Sequence, residues 1–375
     1  MLIPWEWIIL GAFALVTLIQ LFYYLHYFRL VAYYIPPEWD QSQEHPVSVV
    51  ICARDEAANL ADNLPGVLVQ DYHSTHEVVL VNDNSQDETR YLLEGLHKQF
   101  RHLNVVELKQ EAILILGKKF PLSMGIKSAR HEVVLLTDAD CIPASEHWIY
   151  KMQQPFRDGI EIVLSYGAYH KTKSLLNKII RFDTFHGALQ YLSYALAGNP
   201  YMGVGRNLAY KKELFYRHKG FSSHNHVPGG DDDLFINMAA TKDNTSVVID
   251  EEAYTLSKPK TSLGKWYNQK TRHYSTAKYY KGSHRFLLGL YSATQFLFWP
   301  LFVLALVFGK WPLWPVALGI MMLRLITQAV IFYRSMVKLN ERDLFPLFLF
   351  FDVFQLFQYI IFIPALLRKP KPVWK

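Results

Sequence analysis

Between Glu6 and Arg29 the chain runs apolar, with His26 the one side chain that titrates near neutral pH. Coiled as a helix at about 1.5 Å per residue, that run crosses roughly 30 Å of hydrocarbon, so it predicts a membrane-spanning anchor. Three similar runs close the sequence: Phe286 to Gly309 without charge, Trp311 to Tyr333 interrupted by Arg324, and Leu344 to Leu367 interrupted by Asp352. The body between them changes period. Short apolar runs at Val47 to Cys52, Glu77 to Asn82, Val105 to Leu108 and Glu132 to Thr137 predict strands. Asn59 to Leu68, Asp87 to Lys98 and Pro121 to Arg130 have helical spacing and predict crossovers. This alternation predicts an α/β domain built on a doubly wound, largely parallel sheet, which takes ligands at the carboxyl ends of its strands. Leu175 to Ala197 predicts an amphipathic helix, lying either on the bilayer surface or against the sheet, because Gly198-Asn199-Pro200 ends it too early to span. The expected organisation is an anchor over 1–36, a soluble domain over 37–283, and membrane helices with a basic tail over 284–375.

Composition narrows the class. Of 375 residues 51% are hydrophobic and 19% charged, which excludes disorder. Two cysteines, Cys52 and Cys141, cannot staple such a chain and lack the spacing of a structural zinc site. The start, Met1-Leu2-Ile3-Pro4-Trp5-Glu6, lacks the basic region and cleavage site of a secretory signal, so the anchor is expected to stay. Arg29 follows the first run, and Lys278, Lys281 and Arg285 precede the second. The positive-inside bias then puts the soluble domain in the cytosol of an integral plasma or inner membrane protein. The tail carries Arg368, Lys369, Lys371 and Lys375, so both flanks of the last run read as cytosolic. Either that run is re-entrant or interfacial, or one of the two before it does not fully cross. Arg324 and Asp352 are expected to pair, since isolated charges at that depth are expensive. The net charge of +6 gathers at membrane flanks, which argues against a nucleic-acid partner.

The strands empty into acids. Leu135-Leu136-Thr137 leads to Asp138 and Asp140, which point the same way from an extended exit and suit Mg²⁺ or Mn²⁺ shared with phosphate oxygens. Val78 to Val81 leads to Asp83, placed to accept hydrogen bonds from a ribose or base, and Ile51-Cys52-Ala53-Arg54 leads to Asp55 and Glu56. Gly229-Gly230 precedes Asp231, Asp232 and Asp233 at the start of a helix near Leu234. One aspartate suffices to cap that helix. Three repel one another and raise the proton affinity of at least one, which suits a base that deprotonates an alcohol. His224 and His226 lie near Asp231, but no H-E-x-x-H pattern makes them zinc ligands. The glycine-rich stretch Tyr201 to Asn207 reads either as a close approach to a sugar or as a tight turn.

These pieces, with Gly117-Lys118-Lys119, Gly125-Ile126-Lys127 and Gln269-Lys270-Thr271-Arg272, together resemble membrane-bound family 2 glycosyltransferases of GT-A fold over about residues 46–280. The resemblance implies hexosyl-type transfer with inversion, from a UDP-sugar or related nucleotide sugar to a lipid, lipid-linked or glycan acceptor at the bilayer. By the same resemblance, Asp55 or Glu56 and Asp83 would hold the uridine, and Lys118 or Lys119 would neighbour the diphosphate. Asp138 and Asp140 would contact donor and metal, and Asp232, with Asp231 beside it, would be the base. Gln269 and Arg272 would match a Gln-x-x-Arg-Trp element near diphosphate and acceptor; His273 stands where that element has Trp. Four candidate spans are few for a polymer channel, which favours single addition. The alternatives are a processive polysaccharide synthase and a catalytically silent nucleotide-sugar or glycan-binding scaffold.

Overall fold

The computed structural model describes residues 4–39, 44–109, 115, 117–157 and 159–367. Four strands rich in β-branched residues form the parallel core of the sheet: β1 (Val47–Ala53), β2 (His76–Asp83), β3 (Leu103–Leu108) and β4 (Val133–Asp138). Helices Ala57–Leu68, Thr89–Gln99 and Lys119–Ser128 make the crossovers. These are the expected elements, with ends slightly shifted. Gly125 lets the third crossover helix lie close on the sheet, since a Cβ there would stand 2.6 Å from Val50 Cγ1 and 2.9 Å from Val81 Cγ2.

Short strands extend this core: β5 (Cys141–Pro143), β6 (Ile162–Leu164), β7 (Gly167–Tyr169), β8 (Leu208–Lys211), β9 (Thr245–Val247) and β10 (Thr255–Ser257). The large sheet runs β3-β2-β1-β4-β8-β6-β9, and a small one runs β5-β10-β7. Strand β8 lies antiparallel to both β4 and β6, so the sheet turns mixed beyond β4. None of these six short strands is legible from period, because three or four residues cannot display it.

Helices Trp5–Ala32, Gly282–Phe308, Leu313–Lys338 and Arg342–Pro364 are long and apolar enough to cross a membrane. Exposed Trp5, Trp7, Trp311 and Trp314 mark one end of the bundle, where Lys310 Nζ meets Glu6 Oε1 at 3.4 Å. In the interior Arg324 and Asp352 pair as expected, Nη1 to Oδ2 at 2.7 Å and Nη2 to Oδ1 at 2.9 Å, both fully buried. Gln20, Gln295, Gln328 and the Trp299 indole bond to the same pair, so its charges are satisfied within the bundle. The basic tail, Arg368, Lys369, Lys371 and Lys375, lies outside the described residues.

Leu175–Leu196 settles between the two readings made from its sequence: it is a wedge between sheet and membrane helices. On one side Tyr191 Oη donates to the Ser165 carbonyl at 2.8 Å. On the other, Tyr194 stacks on Tyr27 of the first span at 4.4 Å and Phe182 on Phe351 of the last at 4.2 Å. Several of its polar residues, Asn177, Arg181, His186 and Ser193, are buried as well. Arg181 is fully buried and bonds Glu341 and Asp343 in the turn before the last helix, Nε to Glu341 Oε2 at 2.9 Å and Nη1 to Asp343 Oδ2 at 2.8 Å.

Candidate active site

Register sets the acids along one sheet edge. With Cys52 opposite Asp138 and Ala53 opposite Asn82, the exits of β1, β2 and β4 open side by side. Asp83 is buried at the end of β2, with Arg54 Nη1 at 3.8 Å from its Oδ2. Asp55 sits in a left-handed turn, φ 52°, where its amide donates to Ser85 Oγ at 2.9 Å and its Oδ1 accepts from the Gln86 amide at 2.7 Å. Glu56 accepts from Asn59 Nδ2 at 2.5 Å. Asp87 braces the same two loops, accepting from the Ala57 and Thr89 amides at 3.0 Å each.

Lys118 ties distant parts of the chain together. Its Nζ bonds Asp138 Oδ1 and lies 3.7 Å from Asp231 Oδ2, joining the end of β4 to the aspartate run. Burial works against the charge on both partners, yet Lys118 holds Asp138 below the usual carboxylate range, and the two aspartates hold Lys118 well above the usual lysine value. Lys119 takes no part in this. It is fully buried and donates to the carbonyls of Val227 and Gly229, the latter at 2.6 Å, so of the two lysines Lys118 is the one bonded to Asp138. Burial lowers Lys119 to about 8.

The three aspartates divide. Asp232 caps helix Asp233–Ala239: its Oδ1 accepts from the Asp233 amide and its Oδ2 from the Gly205 amide, both at 2.8 Å. Burial, then Asp231, then Asp233 push Asp232 up to about 7. Gly230 makes the turn before the run at φ 91°, where an added Cβ would come within 2.4 Å of the Leu234 side chain. Asp233 points away, accepting from Thr276 Oγ1 and, at 2.7 Å, from Tyr280 Oη, so it fastens this loop to the segment entering the second span.

Asp138, Asp140 and Cys141 bring their ligand atoms within 4.8 Å of one another. Burial pushes the Cys141 thiol up, and its Sγ lies 2.9 Å from Ser257 Oγ, so it stays a thiol at neutral pH. Burial and then Asp138 raise Asp140, a strain that a nearby cation relieves. Two hard oxygens without a thiolate fit Mg²⁺ or Mn²⁺ better than zinc.

Gln269 and Arg272 lie on helix Leu263–Tyr274, with Gln269 Nε2 donating to Tyr169 Oη at 3.1 Å and the Arg272 charge lowering Asp138. His273 is exposed on that helix. His224 and His226 hold no carboxylate: His224 bonds Ser223 at 2.8 Å and His226 packs edge-on to Tyr279. Sequence reasoning missed Arg206. Its guanidinium stacks on the Tyr169 ring at 4.4 Å and lowers both Asp138 and Asp140. The signal was an arginine inside the glycine-rich stretch, which a reading based on backbone freedom passes over.

Residues 48–218 match the family described as Glycosyl transferase family 2. Poly-beta-1,6-N-acetyl-D-glucosamine synthase from Staphylococcus aureus is 25% identical over 174 residues, 46% of this chain and 39% of that protein. An uncharacterized glycosyltransferase from Synechocystis sp. is 30% identical over 119 residues, 31% of this chain and 36% of that protein. The chain thus spans less than half the length of these curated relatives. A mannosyltransferase from Pyrobaculum calidifontis, solved with GDP-Man and Mn²⁺, shares the fold with a TM-score of 0.57 at 17% identity, covering 93% of this chain and 99% of that one.

Proposed function

We propose, from the premise that residues 48–218 are a family 2 glycosyl transferase domain of Rossmann-like GT-A fold and the chain an enzyme that transfers sugars, a metal-assisted inverting transfer at the membrane surface. The donor is a nucleoside-diphosphate sugar, and a UDP-sugar is the leading candidate. The acceptor is a lipid or lipid-linked hydroxyl, with a free glycan as the remaining class. The observation that carries this is Lys118 bonding Asp138 and lying 3.7 Å from Asp231, because it brings the acid at the end of β4 to the aspartate run that contains the proposed base Asp232.

Asp55, Glu56 and Asp83 line the β1 and β2 exits, where base and ribose would lie. Asp138 and Asp140 would hold Mg²⁺ or Mn²⁺, whose charge offsets that of the diphosphate. Lys118 and Arg272, whose charges both lower Asp138, would supply further positive charge where the leaving group gains negative charge. Asp232 accepts the proton as the acceptor oxygen attacks the anomeric carbon. The bond to the diphosphate oxygen breaks on the opposite face, which inverts that carbon. Gln269 orients through Tyr169.

A panel of nucleotide sugars with and without Mn²⁺ tests the reading. Transfer from one donor, lost on metal removal and in Asp138→Ala/Asp140→Ala, is expected. Full transfer by that double variant under chelation would sink it.

One addition per acceptor is the reading favoured by the bundle, where Gln20, Gln295, Gln328 and Trp299 close around the buried Arg324–Asp352 pair. A processive synthase is the second reading, favoured by the name of the Staphylococcus aureus relative. Orientation with the domain in the cytosol follows from the basic flanks of the spans.

A further inference from the structure

We propose that the last apolar helix, Phe348–Leu367, stays on the catalytic side of the membrane and there positions the helix that carries Gln269 and Arg272. The proposal rests on the function above for the role of those two residues, and not for the placement of the helix.

Helix Leu263–Tyr274 has two working faces. Gln269 and Arg272, three apart, look toward Tyr169 and Asp138. Trp266, Lys270 and Tyr274, at spacings of four, look toward the last helix. There Phe362 packs against Trp266, Tyr267 and Tyr274 with ring centroids at 5.6, 5.2 and 5.2 Å. One turn earlier Gln358 Nε2 donates to Asp183 Oδ1 at 2.7 Å, while Asp183 Oδ2 pairs with Lys270 Nζ at 2.7 Å. The side chains of Lys270 and Asp183 are 18% and 10% exposed, so water screens this pair far less than a surface one. Asp183, Lys270 and Gln358 therefore form a three-way joint between the wedge helix, the Gln269 helix and the last helix.

The other end of the last helix also touches the catalytic domain. Phe351 stacks on Phe182, and just upstream Glu341 and Asp343 hold the buried Arg181. A helix of 20 residues is about 30 Å long, so one that crossed the bilayer would carry its far end to the opposite surface. This helix instead keeps contact with the same domain from Phe351 to Phe362, about 16 Å along its axis. Phe350, Val353, Phe357 and Ile361 are exposed at helical spacing, while Asp352, Gln355 and Gln358 on the other face are buried. One face is exposed and the other meets protein, with Asp352 reaching Arg324 and Trp299 inside the bundle before Gln358 and Phe362 return to the domain. The Lys/Arg residues that follow it in sequence then share a side with Arg342 before it, which removes the conflict with the positive-inside bias.

Two measurements test this on the full-length protein in sealed vesicles with the catalytic domain outward. Cys52 and Cys141 are buried, so an impermeant maleimide reports added thiols. Lys371→Cys is expected to label without permeabilisation, like Lys98→Cys on the catalytic domain, whereas Trp311→Cys labels only after it. If Lys371→Cys behaves like Trp311→Cys, the helix crosses and the proposal falls, whatever the enzyme transfers. For the joint, Lys270→Met and Gln358→Leu are each expected to lower kcat/KM, with displacement of the Gln269 helix by about 1 Å costing on the order of 10²-fold. Lys270→Arg should keep most activity. Wild-type kcat/KM in both Lys270→Met and Gln358→Leu, or equal loss in Lys270→Arg and Lys270→Met, overturns the positioning role. Asp232→Asn with transfer intact would instead sink the catalytic reading and leave the labelling result standing.

Discussion

At the scale of single residues, crowding is what sets the proposed base, Asp232, apart from its neighbours. Burial and two neighbouring aspartates raise Asp232 to about 7, so the native state keeps a proton that the unfolded chain, near 3.8, has released. The stabilisation from that proton is full below the unfolded value and is lost as pH rises through about 7. Activity runs the other way, because only the deprotonated carboxylate accepts a proton. A pH profile of kcat/KM is therefore expected to climb through about 7. Asp232→Asn should abolish that limb and lower transfer about 10²- to 10⁴-fold while donor binding persists. A limb unchanged in the variant would assign the proton to another group. Which of Lys118 and Lys119 serves the cleft was not legible from sequence. Adjacent residues at a helix start point in different directions, and the carbonyls that capture Lys119 come from Val227 and Gly229, far along the chain.

At the scale of elements, long apolar strands and spans could be read because each displays its own period, and the depth of Arg324 and Asp352 could be compared before any contact was known. Removing one partner strands the other in a low-dielectric interior, at about 3–5 kcal/mol, whereas removing both spares much of that cost. Arg324→Leu and Asp352→Leu are each expected to lower the thermal midpoint in detergent more than the double variant does. Equal losses in all three would show that Gln20, Gln295 and Gln328 keep the lone charge satisfied. The short strands β5 to β10 and the wedge helix escaped the pattern for the opposite reason. Three-residue strands carry no period, and a helix buried on both sides shows no clean polar stripe.

Across the whole molecule, the catalytic domain does not hang from a tether. Arg181, Asp183 and Tyr194 on the wedge helix, with Asp233 on the catalytic loop, bond or pack into the membrane-proximal helices and the segments that enter them. The proposed acids are thereby held in a fixed position relative to the apolar helices, which fits the lipid or lipid-linked acceptor proposed above. Electrophoresis of product made with radiolabelled donor is expected to show one sugar per acceptor. A ladder of long chains would replace single addition by polymerisation.

By itself the sequence determined the kind of molecule: apolar runs of membrane-spanning length, an alternating α/β body, and acids at the strand exits that resemble a glycosyltransferase site. These follow from local chemistry, since period, run length and strand-end position are properties of short stretches. Only the tertiary structure decided that Lys118 and not Lys119 joins Asp138 to Asp231, that Arg206 borders the same acids, and that the last helix touches the α/β domain at Phe351 and again at Phe362. Each of these depends on groups far apart along the chain meeting at a few ångströms, and no local pattern encodes such a meeting.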